Sequence, residues 1–217
     1  MSDNSDLPIV LLGCGGHASV LADILLKQGR KIIAIVNPGK ESLREIFTGM
    51  HQLKSDEDVL QYKPESILLV NGIGMIPKSE LKRNVNEYFL SKGYQFSTVI
   101  SEMALISPFA RISKGAQVLP GAIVQTGAIV GEHSIVNSGS LIEHDCRLGA
   151  YNHIAPKAVL CGQVCSGSDV YVGAGATVIN NINLPTGTIV GAGAVVTKSF
   201  AEKSIIYAAR PLIKQFK

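Results

Sequence analysis

The sequence predicts an α/β front domain built on a Rossmann-like parallel sheet, residues 1–103, followed by an all-β parallel β-helix, residues 104–217. Two periodic features predict the second part and a glycine-rich turn predicts the first. The first feature is a series of sixteen positions six residues apart: Ile106, Ile112, Val118, Val124, Val130, Val136, Ile142, Leu148, Ile154, Leu160, Ser166, Val172, Val178, Leu184, Val190 and Val196. All are aliphatic except Ser166. A small residue often follows four places on, as at Ala116, Ala122, Ala128, Ser140, Cys146 and Ala176. A period of six is neither helical nor a simple strand alternation; it is how a solenoid of short strands repeats its inward side chain. Three six-residue faces close a triangular prism, so one coil takes about 18 residues. The second feature agrees: Val172-Gly173-Ala174-Gly175-Ala176 returns as Val190-Gly191-Ala192-Gly193-Ala194, one coil later.

The front domain opens with a strand at Leu7–Leu12, which ends in Gly13-Cys14-Gly15-Gly16-His17-Ala18 and leads into a helical pattern through Lys27. A second strand, Lys31–Val36, stops at Asn37-Pro38. Strand, glycine turn, helix, strand is a βαβ unit, and Gly13-x-Gly15-x-x-Ala18 fits the dinucleotide-type fingerprint. Glycines let the backbone approach a phosphate, which the N–H groups and dipole of the helix then hold. A nicotinamide cofactor calls for an acidic residue after the second strand. Asn37 stands there, which argues against a redox cofactor and leaves room for another nucleotide. His17 could donate to a phosphate or cap the turn.

Ser66–Val70 reads as a buried strand running into Asn71-Gly72-Ile73-Gly74, followed by a helix at about Ser79–Ser91 and a strand at Phe96–Ile100 that completes the sheet. Residues 42–65 read as loop plus helix. Ligands bind beyond the carboxyl ends of such strands, which puts Gly13–His17, Asn37 and Asn71–Gly74 on one rim. The domain boundary near Ser101–Leu105 has no Gly/Ser linker, so the two parts should pack together.

Composition narrows the class. Trp is absent and rings are few, as suits a narrow interior of stacked aliphatics. Cys14, Cys146, Cys161 and Cys165 form no CxxC pair, which argues against a zinc ribbon or a thioredoxin-like motif. A net charge of +3 is too small to argue for nucleic acid. Lys198, Lys203, Arg210, Lys214 and Lys217 face only Glu202 in the tail, as a solvated segment or a phosphate contact. No signal-peptide pattern and no membrane-length apolar run occurs, so a cytoplasmic protein with reduced thiols is expected.

With the prism interior filled, chemistry must use its outward positions. The stretch Asn137-Ser138-Gly139-Ser140-Leu141-Ile142-Glu143-His144-Asp145-Cys146, with His153 beyond it, stands out. Neither His144 nor His153 falls on the inward series, so neither is expected in the core. Histidine is the side chain best suited to move a proton near neutral pH, and Asp145 or Glu143 could orient it. His133, alone in its surroundings, reads as incidental. Stacking by one coil sets His144 between Thr126 and Gly162, and a glycine there leaves room for a substrate. His144 and His153 lie half a coil apart, so one site using both must form between two subunits, and the exposed prism sides suit association.

These residues resemble a known family. Residues 106–196 look like the left-handed β-helix of hexapeptide-repeat acyltransferases. The whole chain resembles bacterial sugar acetyltransferases, among them UDP-4-amino-sugar N-acetyltransferases of the bacillosamine-pathway type and sialic-acid O-acetyltransferase-like proteins. The resemblance implies a homotrimer with acetyl-CoA in the groove between neighbouring helices and no metal. It implies His144 as catalytic base and Asp145 as the residue that raises its basicity. His153, Gly162, Ala174, Gly191 and Ala192 fall at cofactor-binding positions. Gly15, Gly16, His17, Asn37, Gly72, Ile73 and Gly74, with Asn137, fall at substrate-binding positions. Asn37-Pro38 departs from the acidic pair often found in the family, and Ala209-Arg210-Pro211 follows the usual ending only loosely.

The expected reaction is direct transfer of acetyl to the amine of a UDP-linked 4-amino sugar in glycan biosynthesis, with a backbone N–H near His153 or Gly162 facing the oxyanion. The alternatives are O-acetylation of a sugar hydroxyl, a metal hydrolase that would need His133, His144 and His153 to converge, and a binding module without activity.

Overall fold

The six-residue period becomes sixteen two-residue strands, from Leu105–Ile106 to Val195–Val196, each ending on a member of the aliphatic series. These belong to a computed structural model that describes residues 7–39 and 44–209; Arg210, Pro211, Lys214 and Lys217 of the basic tail lie outside the described residues. From Leu105–Ile106 to Thr177–Val178 each strand pairs in parallel with the strand 18 residues on, as Ile135 does with His153 and Leu141 with Val159. The pairings build three stacked sheets of seven, six and five strands. The result is the expected left-handed parallel β-helix.

Geometry forces one backbone feature at every corner. From residue 115 to residue 193 each sixth residue has positive φ, among them Gly127, His133, Asp145, Tyr151 and Gln163. Glycine takes this conformation freely, whereas other residues pay roughly 1–2 kcal/mol. Non-glycine residues in this slot therefore need another reason to be there.

Inside the prism, Val118, Val136, Ile154, Val172 and Val190 stack with small residues such as Ala122, Ala158 and Ala176, all buried. Ser166, the break in the series, has a partner: its hydroxyl is 2.6 Å from the amide nitrogen of Asn152, which is fully buried and takes a small-residue slot. The Asn152 side-chain oxygen, Oδ1, accepts the Val170 N–H at 2.7 Å. A buried amide needs such partners, so Ser166 and Asn152 fit as a pair.

The front domain holds β1 (Ile9–Leu12), α1 (Gly16–Lys27), β2 (Ile32–Val36), β3 (Gln52–Leu53), β4 (Leu68–Asn71) and α2 (Leu81–Ser91). Its parallel sheet runs β3-β2-β1-β4. Three expectations need correction. The segment Phe96–Ile100 does not complete this sheet: Phe96 makes one bridge to Leu69, and Val99–Ile100 joins the seven-stranded face of the prism. No α-helix forms among residues 44–65; short 3-10 turns and β3 take its place. The second helix starts at Leu81, after Pro77 and exposed polar residues.

The two parts share a buried boundary. Leu119 and Ile135 of the prism pack with Leu21, Leu25 and Val70 of the front domain. Gln28 donates to the Ile100 carbonyl at 2.7 Å, and Arg83 meets Asp169 at 2.7 Å.

The outward row on each prism face explains their different fates. The seven-stranded face shows Val99, Gln117, Ile135, His153, Tyr171, Ile189 and Ile205, and its first coils lie under the front domain. The five-stranded face shows Arg111, Ile129, Arg147, Cys165 and Asn183. The six-stranded face shows Leu105, Ile123, Leu141, Val159, Thr177 and Val195, an almost wholly apolar row whose ends, Leu105 and Val195, are 68% and 61% exposed.

Candidate active site

The described residues place the candidate groups in two separate half-sites. The first is a prism corner. The chain leaves the six-stranded face at Ile142, turns through His144 and Asp145, and enters the five-stranded face at Arg147. His144 and Asp145 are both exposed, and His144 Nδ1 lies 2.9 Å from Asp145 Oδ2. A carboxylate on Nδ1 leaves Nε2 to receive a proton and steadies the imidazolium that results. Asp145 has φ 58. It holds the left-handed slot that Gly127 fills one coil earlier, and an added Cβ at Gly127 would run into its carboxylate.

Gly162 completes this corner. A Cβ there would sit 2.5 Å from His144 Nε2, so only glycine leaves the ring its place. The stacking expected from the 18-residue coil is present: Asp145 N–H donates to the Thr126 carbonyl and Gln163 N–H to that of His144.

The second half-site is the rim of the front domain. The N-cap of α1 is Gly15, with extended φ −75 and no side-chain cap, so the first helical N–H groups stay available to an anion. A Cβ on Gly15 meets nothing within 4 Å, and one on Gly16 comes within 3.6 Å of an Arg44 guanidinium nitrogen. Arg44 thus stands at the mouth of the turn, a cation that the sequence did not single out. Gly72 has a packing role: a Cβ there would lie 2.6 Å from that of Ala18, so the third position of the fingerprint lets helix and strand approach. Gly74 is exposed beside His17. Asn37 is buried, and its amide donates to Gln52 at 3.1 Å.

Beneath the rim runs a buried polar chain. The Lys82 ammonium donates to the carbonyls of Asn71 and Ile73 at 3.0 and 3.1 Å, and burial pushes its pKa down to about 7. Asn71 Oδ1 accepts the Ile73 N–H at 2.9 Å. Gln117 Nε2 donates to the Asn71 carbonyl at 2.8 Å, and its oxygen lies 2.7 Å from His17 Nε2. Burial first, and then the charge on Lys82, lowers the His17 pKa to about 4. Lys82 and Gln117 gave no signal in the sequence, because a lone lysine in a helix and a glutamine on an outward strand position ordinarily face solvent.

His153 corrects one expectation. It faces away from the prism interior but is 7% exposed, because the front domain covers it. Asn137 Oδ1 accepts the Ser138 N–H, so its amide nitrogen is the donor to His153 Nε2 at 3.0 Å. Burial, followed by a Met75 backbone contact that opposes it and the Lys82 charge that adds to it, leaves the His153 pKa at about 4. Its backbone N–H is already bonded to the Val170 carbonyl at 2.9 Å, which leaves Gly162 as the candidate oxyanion donor. His133 is not on an exposed loop: it is buried, stacked on Tyr151 with centroids 5.0 Å apart and edge-on to Phe96. His133, His144 and His153 occupy different corners and faces, so they do not converge on one metal position. No group of three metal-ligating side chains occurs among the described residues.

Ala174 and Ala192 are exposed at the corner between the seven- and six-stranded faces, with Gly191 half-buried beside them. That corner and the His144–Gly162 corner border the apolar face on opposite sides. Since His17, Asn137 and His153 belong to the front-domain side, one chain does not bring His144 to its own rim.

Comparison with known proteins covers both domains. Residues 8–87 match the family model of the PglD N-terminal domain. PerB from Caulobacter crescentus, in complex with CoA and GDP-perosamine, is 28% identical over 92% of this chain and 91% of its own, with a TM-score of 0.79. A histidine-to-asparagine mutant of perosamine N-acetyltransferase from the same organism, also with CoA and GDP-perosamine, aligns at 28% identity over 91% and 90%, TM-score 0.80. The acetyltransferase domain of PglB from Neisseria gonorrhoeae, in complex with acetyl coenzyme A, is 26% identical over 95% of this chain and 100% of its own, TM-score 0.81. The chain is therefore similar along nearly its whole length to sugar N-acetyltransferases of the hexapeptide-repeat type.

Proposed function

We propose that the chain is an acetyl-CoA-dependent N-acetyltransferase acting on the amine of a nucleotide-linked amino sugar, a UDP-linked 4-amino sugar in the reading from sequence, in bacterial glycan biosynthesis. The observation that carries this is the His144–Asp145 pair opposite Gly162, on a chain whose front domain offers an uncapped helix N-terminus at Gly15. His144 takes a proton from the amine as its nitrogen attacks the thioester carbonyl; the C–N bond forms, the C–S bond breaks, and CoA leaves as its thiol. Asp145 holds the ring and stabilises its positive charge. The Gly162 N–H faces the oxyanion.

Acceptor and base come from different copies. The apolar row Leu105, Ile123, Leu141, Val159, Thr177 and Val195 is the surface that a second copy would cover, and burying it would bring the His144 corner of the partner to the rim. Exposed Met103 and Phe109 lengthen that surface. A closed ring of three copies repeats this contact three times, with acetyl-CoA between Gly162 on one copy and Ala174, Gly191 and Ala192 on the next. Among the described residues no helix is long and apolar enough to cross a membrane. The proposed location is the cytoplasm, where acetyl-CoA and nucleotide sugars are both to hand.

The test is thiol release from acetyl-CoA across UDP- and GDP-linked amino sugars and their hydroxyl counterparts. Release with an amino sugar alone supports the reading; release only with hydroxyl acceptors, or with none, overturns it.

A further inference from the structure

Hydrogen-bond logic fixes the state of His17. Gln117 Nε2 donates to the Asn71 carbonyl at 2.8 Å. A carbonyl has no proton, so the amide of Gln117 cannot be turned over without setting two oxygens against each other. Its oxygen therefore faces His17 Nε2, 2.7 Å away, and that nitrogen must carry the ring proton. The Lys82 ammonium, which donates to the same Asn71 carbonyl at 3.0 Å, disfavours a second positive charge nearby. The ring stays neutral near pH 7, its pKa lowered to about 4 by burial and then by Lys82. His17 Nδ1 is left with a lone pair: among the described residues the ring's one side-chain hydrogen bond is the one from Nε2 to Gln117. Around it the rim is open: Gly15, Gly16 and Gly74 are exposed.

We propose that Gln117 is a positioning residue that holds His17 in its Nε2–H form, so that Nδ1 accepts a hydrogen bond from an N–H or O–H group of the bound sugar. This rests on the reading of the front-domain rim as the acceptor pocket. It assigns His17 to substrate selection and takes it away from the phosphates, which a bare lone pair repels. The diphosphate falls instead to the α1 N-terminus and Arg44. The prism thereby sets the specificity of a pocket on the other domain, through one side chain that crosses the boundary. Acceptors lacking a donor group at that position leave the lone pair unpaired and bind less well.

The tautomer can be read without any substrate, by long-range proton–nitrogen NMR on the full chain with His17 assigned through a His17→Asn control. The expected spectrum has a protonated Nε2 and an unprotonated Nδ1 at pH 7. Gln117→Leu should release that preference, and should raise acceptor KM roughly five- to tenfold with kcat and acetyl-CoA KM little changed. His17→Asn, which puts an amide oxygen near the place of Nδ1, should retain more acceptor affinity than His17→Leu. A proton on Nδ1 in the unaltered protein, or an unchanged acceptor KM in Gln117→Leu once its tautomer has shifted, overturns the proposal. If the tautomer is as expected but no nucleotide amino sugar is acetylated, the functional reading fails instead, and with it the assigned ligand of Nδ1.

Discussion

His144 and Gly162 stand one coil apart on the same corner, and the ring of the first occupies the space that a side chain on the second would fill: an added Cβ would lie 2.5 Å from Nε2. The ring is exposed and can swing away, and Gly162 needs no left-handed backbone. Gly162→Ala should therefore fold normally and displace His144, lowering kcat by about 10–100-fold with little change in Tm. Paired kinetics and thermal denaturation check this.

Replacing the base itself is more severe. His144→Asn should lower kcat by about 10²–10⁴-fold while acceptor KM stays within a factor of a few. An unaltered kcat removes His144 from the mechanism.

Asp145 separates backbone from chemistry. It holds a left-handed turn position, φ 58, that glycine adopts at equivalent corners such as Gly127 and Gly139. Asp145→Gly should thus keep or raise Tm while lowering kcat about tenfold or more through loss of the Nδ1 partner. A variant that loses Tm and activity together would point to a structural role only.

At the other half-site, Gly15→Val should fold, because φ is −75 and nothing lies within 4 Å of the new Cβ. The side chain fills the space over the helix N-terminus. Calorimetry with a nucleotide sugar and with CoA, separately, should show the first binding lost and the second intact.

Buried histidines give a pH signature. His17, His133 and His153 all have pKa values lowered from 6.5 to about 4. The unfolded chain binds these protons first as pH falls from 6.5 towards 4, so stability drops through that window and is regained on return to pH 7. Tm should fall on the order of 10 °C across it, and His153→Gln should make the slope shallower.

How much of this was legible follows from the physics of each part. The prism was, because a strict six-residue period has no other structural meaning, and the stacking of His144 against Gly162 is arithmetic on that period. The break at Ser166 needed coordinates: its partner Asn152 sits in a different register slot, and nothing local ties them. The sequence does not show that Val99–Ile100 joins the prism, because a two-residue strand carries no sign of which sheet it pairs with. The burial of His153 likewise depends on where the front domain docks. Gln117 and Lys82 were invisible for the same reason, since each is polar at a position that faces solvent unless another domain covers it.

The most direct test of a site shared between copies is complementation. His144→Asn and Gly15→Val chains, each inactive alone, should regain about a quarter of full activity when mixed randomly in one assembly, because a sound rim then meets a sound base across the seam. Mixed assemblies that stay inactive would contradict the shared site and place acceptor and base within a single chain.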